Sequence, residues 1–291
     1  MTGGLEQQKT AYKYSSFNET WTVLRNMPQY RYSASSINVN GKCYVIGGQD
    51  SRDISVYDPK KDTFTTVYTM ETRRMHFDCC KYSEHEILIV GGNIGEGALE
   101  ASDSCIVFNT LNNTVTELPK LNQGRKLFAL AESGGKFYAM GGANMREGPF
   151  RIMQSIEVFD KEKNKWEINS MQMSQQRFSH EAVSHNGFIY VFGGQNNTSD
   201  IHNYVEKYDM NNGTYTTLTA RMNFRRGSEF GICKAGTKVY LVGGSYKRSR
   251  KSKDTYTNKV EVFSLVNENF QLLKDLPKAD GFLSACILCD E

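Results

Sequence analysis

Short apolar runs that end in a glycine pair recur along the chain at intervals of roughly fifty residues. Each run holds four or five consecutive apolar residues, without the alternation expected of a strand that has one wet face. Such runs predict strands that are buried on both faces. The runs with their glycines occupy residues 43–48, 87–92, 137–142, 188–194 and 239–244. Their regular spacing indicates an internal repeat, in which each unit buries its faces against its neighbours.

Other features recur around each glycine pair in a fixed order. Upstream lies an arginine, followed by a strand of small residues and a hairpin signal such as Asn40-Gly41 or Asn186-Gly187. Downstream, a variable loop leads to a strand that ends in an aromatic residue, and a polar turn leads to a last strand. Each unit is therefore predicted to contain four antiparallel strands. The five upstream arginines are Arg31, Arg74, Arg125, Arg177 and Arg226.

The repeated features resemble the Kelch repeat over essentially the whole chain. The resemblance rests on the glycine pair after an apolar strand, the aromatic residue further on, and an aromatic that opens the fourth strand, such as Phe64 or Trp166. Two copies keep the tryptophan of the family, at Trp21 and Trp166. The resemblance implies an all-β fold, a β-propeller of four-stranded antiparallel blades, as one domain over residues 1–291.

The two ends of the chain predict a sixth, shared blade. Residues 1–4 look like the end of an apolar strand with its glycine pair, and residues 11–14 and 20–24 match a third and a fourth strand. Residues 282–288 match a first strand that nothing follows. We therefore expect a six-bladed propeller, in which blades 1–5 come from about residues 31–276. Blade 6 would combine about residues 1–25 with residues 282–291.

Composition narrows the class of protein without identifying its partner. A formal net charge of +3 on 291 residues does not favour nucleic acid, and no apolar run approaches the roughly 18 residues of a membrane span. The seven cysteines are odd in number, and no signal sequence is recognisable. These features predict reduced thiols and a cytoplasmic protein, with the nucleus as the alternative. We interpret Cys286 and Cys289, which form a C-x-x-C, as core and edge thiols.

Catalytic and metal-binding motifs are not evident. His180, Glu181 and His185 do not have the spacing of H-E-x-x-H, and none of the glycine pairs belongs to a phosphate-binding loop. We therefore predict no catalytic residue, no metal site and no cofactor.

The predicted strand order places two sets of loops at one end of the ring. These are the loops that follow each glycine pair and the loops that enter each blade, and we call this end the loop face. Since long loops on a rigid scaffold commonly carry binding sites, the candidate site lies here. The five repeated arginines would either form a guanidinium cluster that binds carboxylates or phosphates, or cap a strand or pair with a loop acid. The other candidates are Phe150, Tyr246, Lys247, Arg248, Arg250 and Lys251.

The interpretation of function is a non-enzymatic interaction module. The chain resembles the Kelch domains of substrate adaptors for cullin-type ubiquitin ligases, and this implies a protein partner held on the loop face. The arginines and the basic run from Lys247 predict an acidic or phosphorylated peptide segment as that partner. Two alternatives stay open: a small-molecule enzyme of the Kelch sugar mutarotase type, and a structural Kelch protein that binds actin.

Overall fold

The computed structural model describes residues 9–95, 100–145, 150–196, 200–227, 230–246, 255–281 and 283–288. Within these ranges the regular secondary structure is entirely β, and no helix is long and apolar enough to cross a membrane. The strands form five four-stranded antiparallel sheets, which are the blades, and four two-stranded sheets. The all-β architecture of four-stranded antiparallel blades is therefore confirmed.

The strands follow the order that the repeat predicts. A first hairpin consists of β1 (Tyr12–Ser15) and β2 (Thr20–Val23). Blade 1 consists of β3 (Ser35–Val39), β4 (Lys42–Ile46), β5 (Asp53–Asp58) and β6 (Thr63–Thr69). The next elements are β7 (Arg74–Met75), β8 (Asp78–Ser83), β9 (Glu86–Val90), β10 (Asn93–Ile94), β11 (Cys105–Asn109) and β12 (Thr114–Leu118). Blade 2 is built from β8, β9, β11 and β12.

Blade 3 comes next in the chain, together with a two-stranded ribbon that forms in the loop after its glycine pair. Their strands are β13 (Ala129–Ser133), β14 (Lys136–Met140), β15 (Ala143–Asn144), β16 (Arg151–Ile152), β17 (Ser155–Asp160) and β18 (Lys165–Gln172). Blade 3 is built from β13, β14, β17 and β18, and β15 pairs with β16.

The last two blades complete the series. Blade 4 consists of β19 (Phe178–His185), β20 (Phe188–Gln195), β21 (Tyr204–Asp209) and β22 (Thr214–Arg221). The remaining strands are β23 (Gly231–Ala235), β24 (Lys238–Val242), β25 (Ser245–Tyr246), β26 (Thr255–Tyr256), β27 (Val260–Ser264) and β28 (Asn269–Leu273). Blade 5 is built from β23, β24, β27 and β28.

The glycine pairs join each blade to the next. In four of the five pairs the second glycine donates its backbone N–H to the carbonyl of the arginine that enters the following blade, as Gly48 does to Arg74 at 2.9 Å. The second glycine has no room for a side chain, since a Cβ on Gly92 would lie 2.6 Å from the carbonyl oxygen of Met75, and a Cβ on the first glycine, Gly91, would lie 2.5 Å from that of Arg125. The same bond recurs from Gly92 to Arg125, from Gly142 to Arg177 and from Gly194 to Arg226.

Apolar side chains fill the spaces between adjacent blades. One cluster joins blades 2 and 3 and contains Leu88, Val90, Leu130, Phe137 and Trp166. Trp166 is buried, as its repeat position predicts, and its ring centroid lies 5.3 Å from that of Phe159. Because each blade supplies one half of such a cluster, a blade cannot bury its apolar surface without its neighbours.

The prediction of six four-stranded blades is wrong, because the described residues form five. β1 and β2 make only a two-stranded sheet, and no strand is formed by residues 283–288, in which Ser284 makes an isolated bridge. Residues 1–4, the expected end of the second strand of the shared blade, lie with the rest of residues 1–8 outside the described residues. An inner strand needs a partner along its length, and the described segments offer residues 283–288 no such strand.

The C-terminal segment, by which we mean residues 280–281 and 283–288, nevertheless continues the pattern of contacts between blades. Gly244 donates its N–H to the carbonyl of Asp280 at 2.9 Å, in the way that the earlier glycines bind the arginines. Cys286 forms a disulfide with Cys43 of β4. The prediction of reduced thiols is therefore wrong for these two cysteines, while Cys79, Cys80, Cys105 and Cys233 are free. Cys289 lies outside the described residues.

Candidate interaction surface and the repeated arginines

The loop face forms as the strand order predicts. The loop that enters blade 2 pairs with the loop after its glycines, through Arg74 with Ile94 and Met75 with Asn93. In blade 3 the corresponding bridge joins Lys126 to Ala143. Entering loops and post-glycine loops therefore lie together at one end of the ring.

The five repeated arginines do not form the predicted cluster on this face. All of them are buried, with exposed fractions between 0% for Arg125 and 4% for Arg74. Each donates through Nη1 to the carbonyl of the first glycine of its own blade, at 2.7 Å from Arg74 to Gly91 and at 2.9 Å from Arg125 to Gly141. The others bind Gly47, Gly193 and Gly243 in the same way.

Four of the five arginines tie two blades together. The side chain of each arginine binds the glycine carbonyl of its own blade, while its main-chain carbonyl accepts the N–H of the second glycine of the preceding blade in four of the five cases. The expectation of arginines exposed at the rim is wrong, because the guanidinium groups turn inward and donate through their Nη atoms to acceptors inside the ring, among them the glycine carbonyls. Burial lowers the pKa of Arg31 and Arg74 to about 10.

Blades 3, 4 and 5 add a buried carboxylate to each arginine. The ion pairs join Arg125 to Glu157 at 2.7 Å, Arg177 to Glu206 at 3.0 Å and Arg226 to Glu261 at 3.2 Å. Blades 1 and 2 use a serine hydroxyl in place of the carboxylate. Arg31 donates to Ser55 Oγ at 2.7 Å, and Arg74 donates to Ser104 Oγ at 3.0 Å.

The sequence holds a signal for these glutamates that our interpretation did not use. Glu157, Glu206 and Glu261 each stand three residues before the last residue of the third strand of their blade. The equivalent residue of blade 1 is Ser55, and that of blade 2 is the apolar Ile106. An acid that recurs at one register position on a buried strand indicates a buried cationic partner.

The remaining predicted site residues differ in what the structure shows. Phe150 is 39% exposed, and its ring packs edge-on against Phe178 with the centroids 5.3 Å apart. Tyr246 pairs through its backbone with Thr255 in the ribbon of β25 and β26. Lys247, Arg248, Arg250 and Lys251 lie outside the described residues.

Other cations, which the sequence interpretation did not select, are exposed on the loop face. Arg52 follows the glycines of blade 1, Arg151 begins β16, and Arg225 immediately precedes the buried Arg226. Arg52 and Arg225 each donate to a loop carbonyl, of Glu71 at 3.1 Å and of Ile201 at 2.9 Å. The face also carries the exposed acids Asp50, Glu71, Glu100 and Asp200, so its charge is mixed.

A narrow channel runs along the axis between the first strands of the blades. Towards the loop face it holds a cavity of about 170 Å³, whose lining includes Asp78 and Glu181. Asp78 accepts the backbone N–H of Leu130 at 2.7 Å, which ties blade 2 to blade 3. Among the described residues, no group of three or more His, Cys, Asp or Glu side chains could hold a metal ion.

His180 takes the position that phenylalanine holds in neighbouring blades. Its ring lies against Gly141, just as Phe128 lies against Gly91 and Phe230 against Gly193. Nε2 is 3.0 Å from the carbonyl oxygen of Met140. Burial, helped by the charge of Arg177, lowers the pKa of His180 well below its usual value, so this imidazole is neutral in the folded protein.

Comparison with known proteins agrees with the repeat propeller that the fold defines. The Kelch motif matches residues 30–71, 124–168 and 176–220. Kelch-like protein 36 of Rattus norvegicus is 24% identical over 284 residues, covering 93% of this chain and 44% of that protein. Kelch-like protein 40 of Xenopus laevis is 24% identical, over 78% of this chain and 36% of that protein. The chain therefore contains Kelch motifs, and its propeller is related in sequence to the Kelch-like proteins.

Two further comparisons extend this likeness. Alpha-scruin of Limulus polyphemus is 25% identical over 66% of this chain and 22% of that protein. The solved structure of YjhT has a TM-score of 0.77 and covers 90% of this chain and 89% of its own. Its sequence identity of 13% means that this likeness concerns the fold alone. The chain spans less than half the length of the Kelch-like proteins to which it is compared here.

Proposed function

We propose that this propeller is a non-enzymatic module that recognises a protein partner through its loop face. The observation that carries the proposal is the contrast between a rigid frame and variable loops. The frame is fixed by the buried arginines and the glycine pairs, whereas the loops after the glycines differ in length and composition from blade to blade. Variable loops on a repeated scaffold are suited to binding.

The partner that fits this face best is a segment with acidic or phosphorylated side chains. Arg52, Arg151 and Arg225 are exposed there, and guanidinium groups bind carboxylates and phosphates in a bidentate manner. The sequence adds the basic run of Lys247, Arg248, Arg250 and Lys251. Phe150 offers a partly exposed aromatic ring beside Arg151, and aromatic residues and arginines are enriched at the centres of interfaces.

The likeness to Kelch-like proteins supports a more specific role. In this role the propeller is the substrate-recognition part of an adaptor for a cullin-type ubiquitin ligase, acting in the cytoplasm. The adaptor would hold the partner on the loop face while another region contacts the ligase. This role rests on resemblance, whereas the choice of face rests on the fold.

The test uses an array of acidic peptides, each present with and without phosphoserine. The variants are Phe150→Ala, Arg151→Ala and Arg225→Ala, and the control is Lys163→Ala, in the exposed turn between β17 and β18 at the opposite end of the ring. We expect the loop-face variants to lose at least about tenfold in affinity for the selected peptides, with unchanged thermal melts. Binding should also weaken as salt rises. If only Lys163→Ala reduced peptide binding, the site would lie at the opposite end of the ring.

A further inference from the structure

The ring has a seam where the C-terminal segment lies between blade 5 and blade 1. On the side of blade 5, Leu283 packs against Gly243, and Asp280 accepts the N–H of Gly244. On the side of blade 1, Asn38 donates through Nδ2 to the carbonyl of Ile287 at 2.7 Å. Among the described residues the segment forms no strand, whereas blades 1 and 5 on either side of it are four-stranded sheets.

A pair of cysteines faces each other across this seam. Cys43 lies in β4 of blade 1, Cys286 lies in the C-terminal segment, and their Cα atoms are 6.5 Å apart. The strand position of Cys43 is apolar in the other four blades, where it is held by Ile87, Phe137, Ile189 and Val239. Among the described residues, facing cysteines therefore occur at the seam and at none of the regular junctions.

We propose that the disulfide between Cys43 and Cys286 forms and breaks reversibly with the redox conditions and so closes the ring; we call this disulfide the staple. The oxidant is a small disulfide such as oxidised glutathione. The Cys286 thiolate attacks it, forms a mixed disulfide and releases one molecule of reduced glutathione. The Cys43 thiolate then attacks the Cys286 sulfur, forms the protein disulfide and releases the second reduced glutathione, so that both thiol protons pass to glutathione.

The position of the two sulfurs supports this order of attack. Cys286 is half-buried and lines a cavity of about 360 Å³ at the end of the channel away from the loop face, whereas Cys43 is buried. A small disulfide therefore reaches Cys286 first. The free thiols Cys80 and Cys233 line the same cavity, but burial raises the pKa of both, that of Cys233 to about 11. Little thiolate forms on them at neutral pH, so they compete poorly for the oxidant.

The staple should also raise the thermal stability of the propeller. It joins residues 243 positions apart in the sequence, and closing so long a loop removes much conformational freedom from the unfolded chain. The oxidised protein should therefore melt roughly 5 to 10 °C above the reduced protein. Reduction would loosen the seam, because the staple is a covalent link between the segment and blade 1, beside the hydrogen bond from Asn38.

The test equilibrates the purified chain in glutathione buffers of rising oxidised fraction. Unreacted thiols are then alkylated, cross-linked peptides are mapped by mass spectrometry, and the melting temperature is measured at each ratio. We expect a Cys43–Cys286 cross-link that forms and disappears reversibly, together with the change in melting temperature. Cys43→Ser and Cys286→Ser should lose the redox dependence of the melt. Cys233→Ser, which changes a thiol in the same cavity, should keep it.

Three results would overturn the staple. The first is alkylation of all seven cysteines at every glutathione ratio. The second is a cross-link between a different pair, and the third is a Cys43–Cys286 cross-link that leaves the melt unchanged. Comparing oxidised and reduced wild-type protein keeps the test decisive even if a serine variant folds poorly.

Discussion

Arg125 and Glu157 form a fully buried ion pair, with Nη2 of the arginine 2.7 Å from Oε1 of the glutamate. The carboxylate also accepts the backbone N–H groups of Asn122 at 2.7 Å and of Gln123 at 3.0 Å. The arginine binds the carbonyls of Ala139, Gly141 and Ser155. One network thus fixes the loop that enters blade 3 against its second and third strands.

Removing either partner of this pair should destabilise the whole propeller. Arg125→Ala leaves a buried carboxylate without its cation, and we expect a loss of roughly 3–5 kcal/mol in the free energy of unfolding. Glu157→Gln should cost less, because the amide oxygen can still accept from Arg125. Urea denaturation followed by tryptophan fluorescence measures both changes. Arg151→Ala, an exposed arginine of the same blade, is the control and should stay within about 0.5 kcal/mol of the parent.

This experiment also separates the two roles that the sequence left open for the repeated arginines. If Arg125→Ala unfolds at the same urea concentration as the parent but fails to bind peptides on the array, the side chain contacts the partner directly. A structural arginine gives the reverse order, with stability lost first. The buried geometry predicts the second outcome.

The glycine pairs lead to a second prediction, about close packing between blades. Gly91 has a φ of +65°, and an added Cβ would lie 2.5 Å from the carbonyl oxygen of Arg125. Gly91→Ala should therefore lower the free energy of unfolding by at least about 2 kcal/mol, through backbone strain and the clash together. The change is measured by urea denaturation.

Gly134→Ala is the matched control for this substitution. Gly134 has a φ of +61°, but an added Cβ there meets nothing within 4 Å. The control therefore isolates the cost of backbone conformation, about 1–2 kcal/mol. Equal effects at the two glycines would show that contact between blades is not what selects the glycine pair.

Much of the fold could be predicted from the sequence because the repeat specifies it locally. The apolar run, the turn signal and the glycine pair each act within one hairpin, and they placed the inner strands of all five blades. The shared blade failed because residues 283–288 have too few described partners to form a strand. The disulfide could not be predicted either, since the pairing of Cys43 with Cys286 depends on how the ends of the ring meet.

The candidate site was harder to predict than the fold. The spacing of Arg31, Arg74 and their repeats fixed the end of the ring at which they lie, but spacing does not determine whether a side chain turns inward. Whether the arginine turns inward depends on its acceptors there, which are the carbonyls of the glycine pair and, in three blades, Glu157, Glu206 and Glu261. Recognition of those acids requires the arginine and the third strand to be considered together.

The last prediction concerns acid stability and His180. Burial lowers the pKa of this imidazole well below 6.5, and burial also lowers the pKa of His202, to about 4. The unfolded chain takes up these protons near pH 6.5, whereas the folded chain resists them. Stability is therefore lost as the pH falls below about 6.5, by about 2 kcal/mol at pH 5 for each histidine that stays neutral.

His180→Phe tests this prediction, because phenylalanine already fills the equivalent positions at Phe77, Phe128 and Phe230. The variant should lose about 2 kcal/mol less than the parent between pH 7 and pH 5, as measured by urea denaturation at the two pH values. The reverse substitution, Phe128→His in blade 3, should increase the loss, since it places an imidazole in an equivalent buried slot. If His180→Phe and the parent lose the same free energy over this range, His180 is not the group whose protonation opposes folding, and His202 becomes the residue to change.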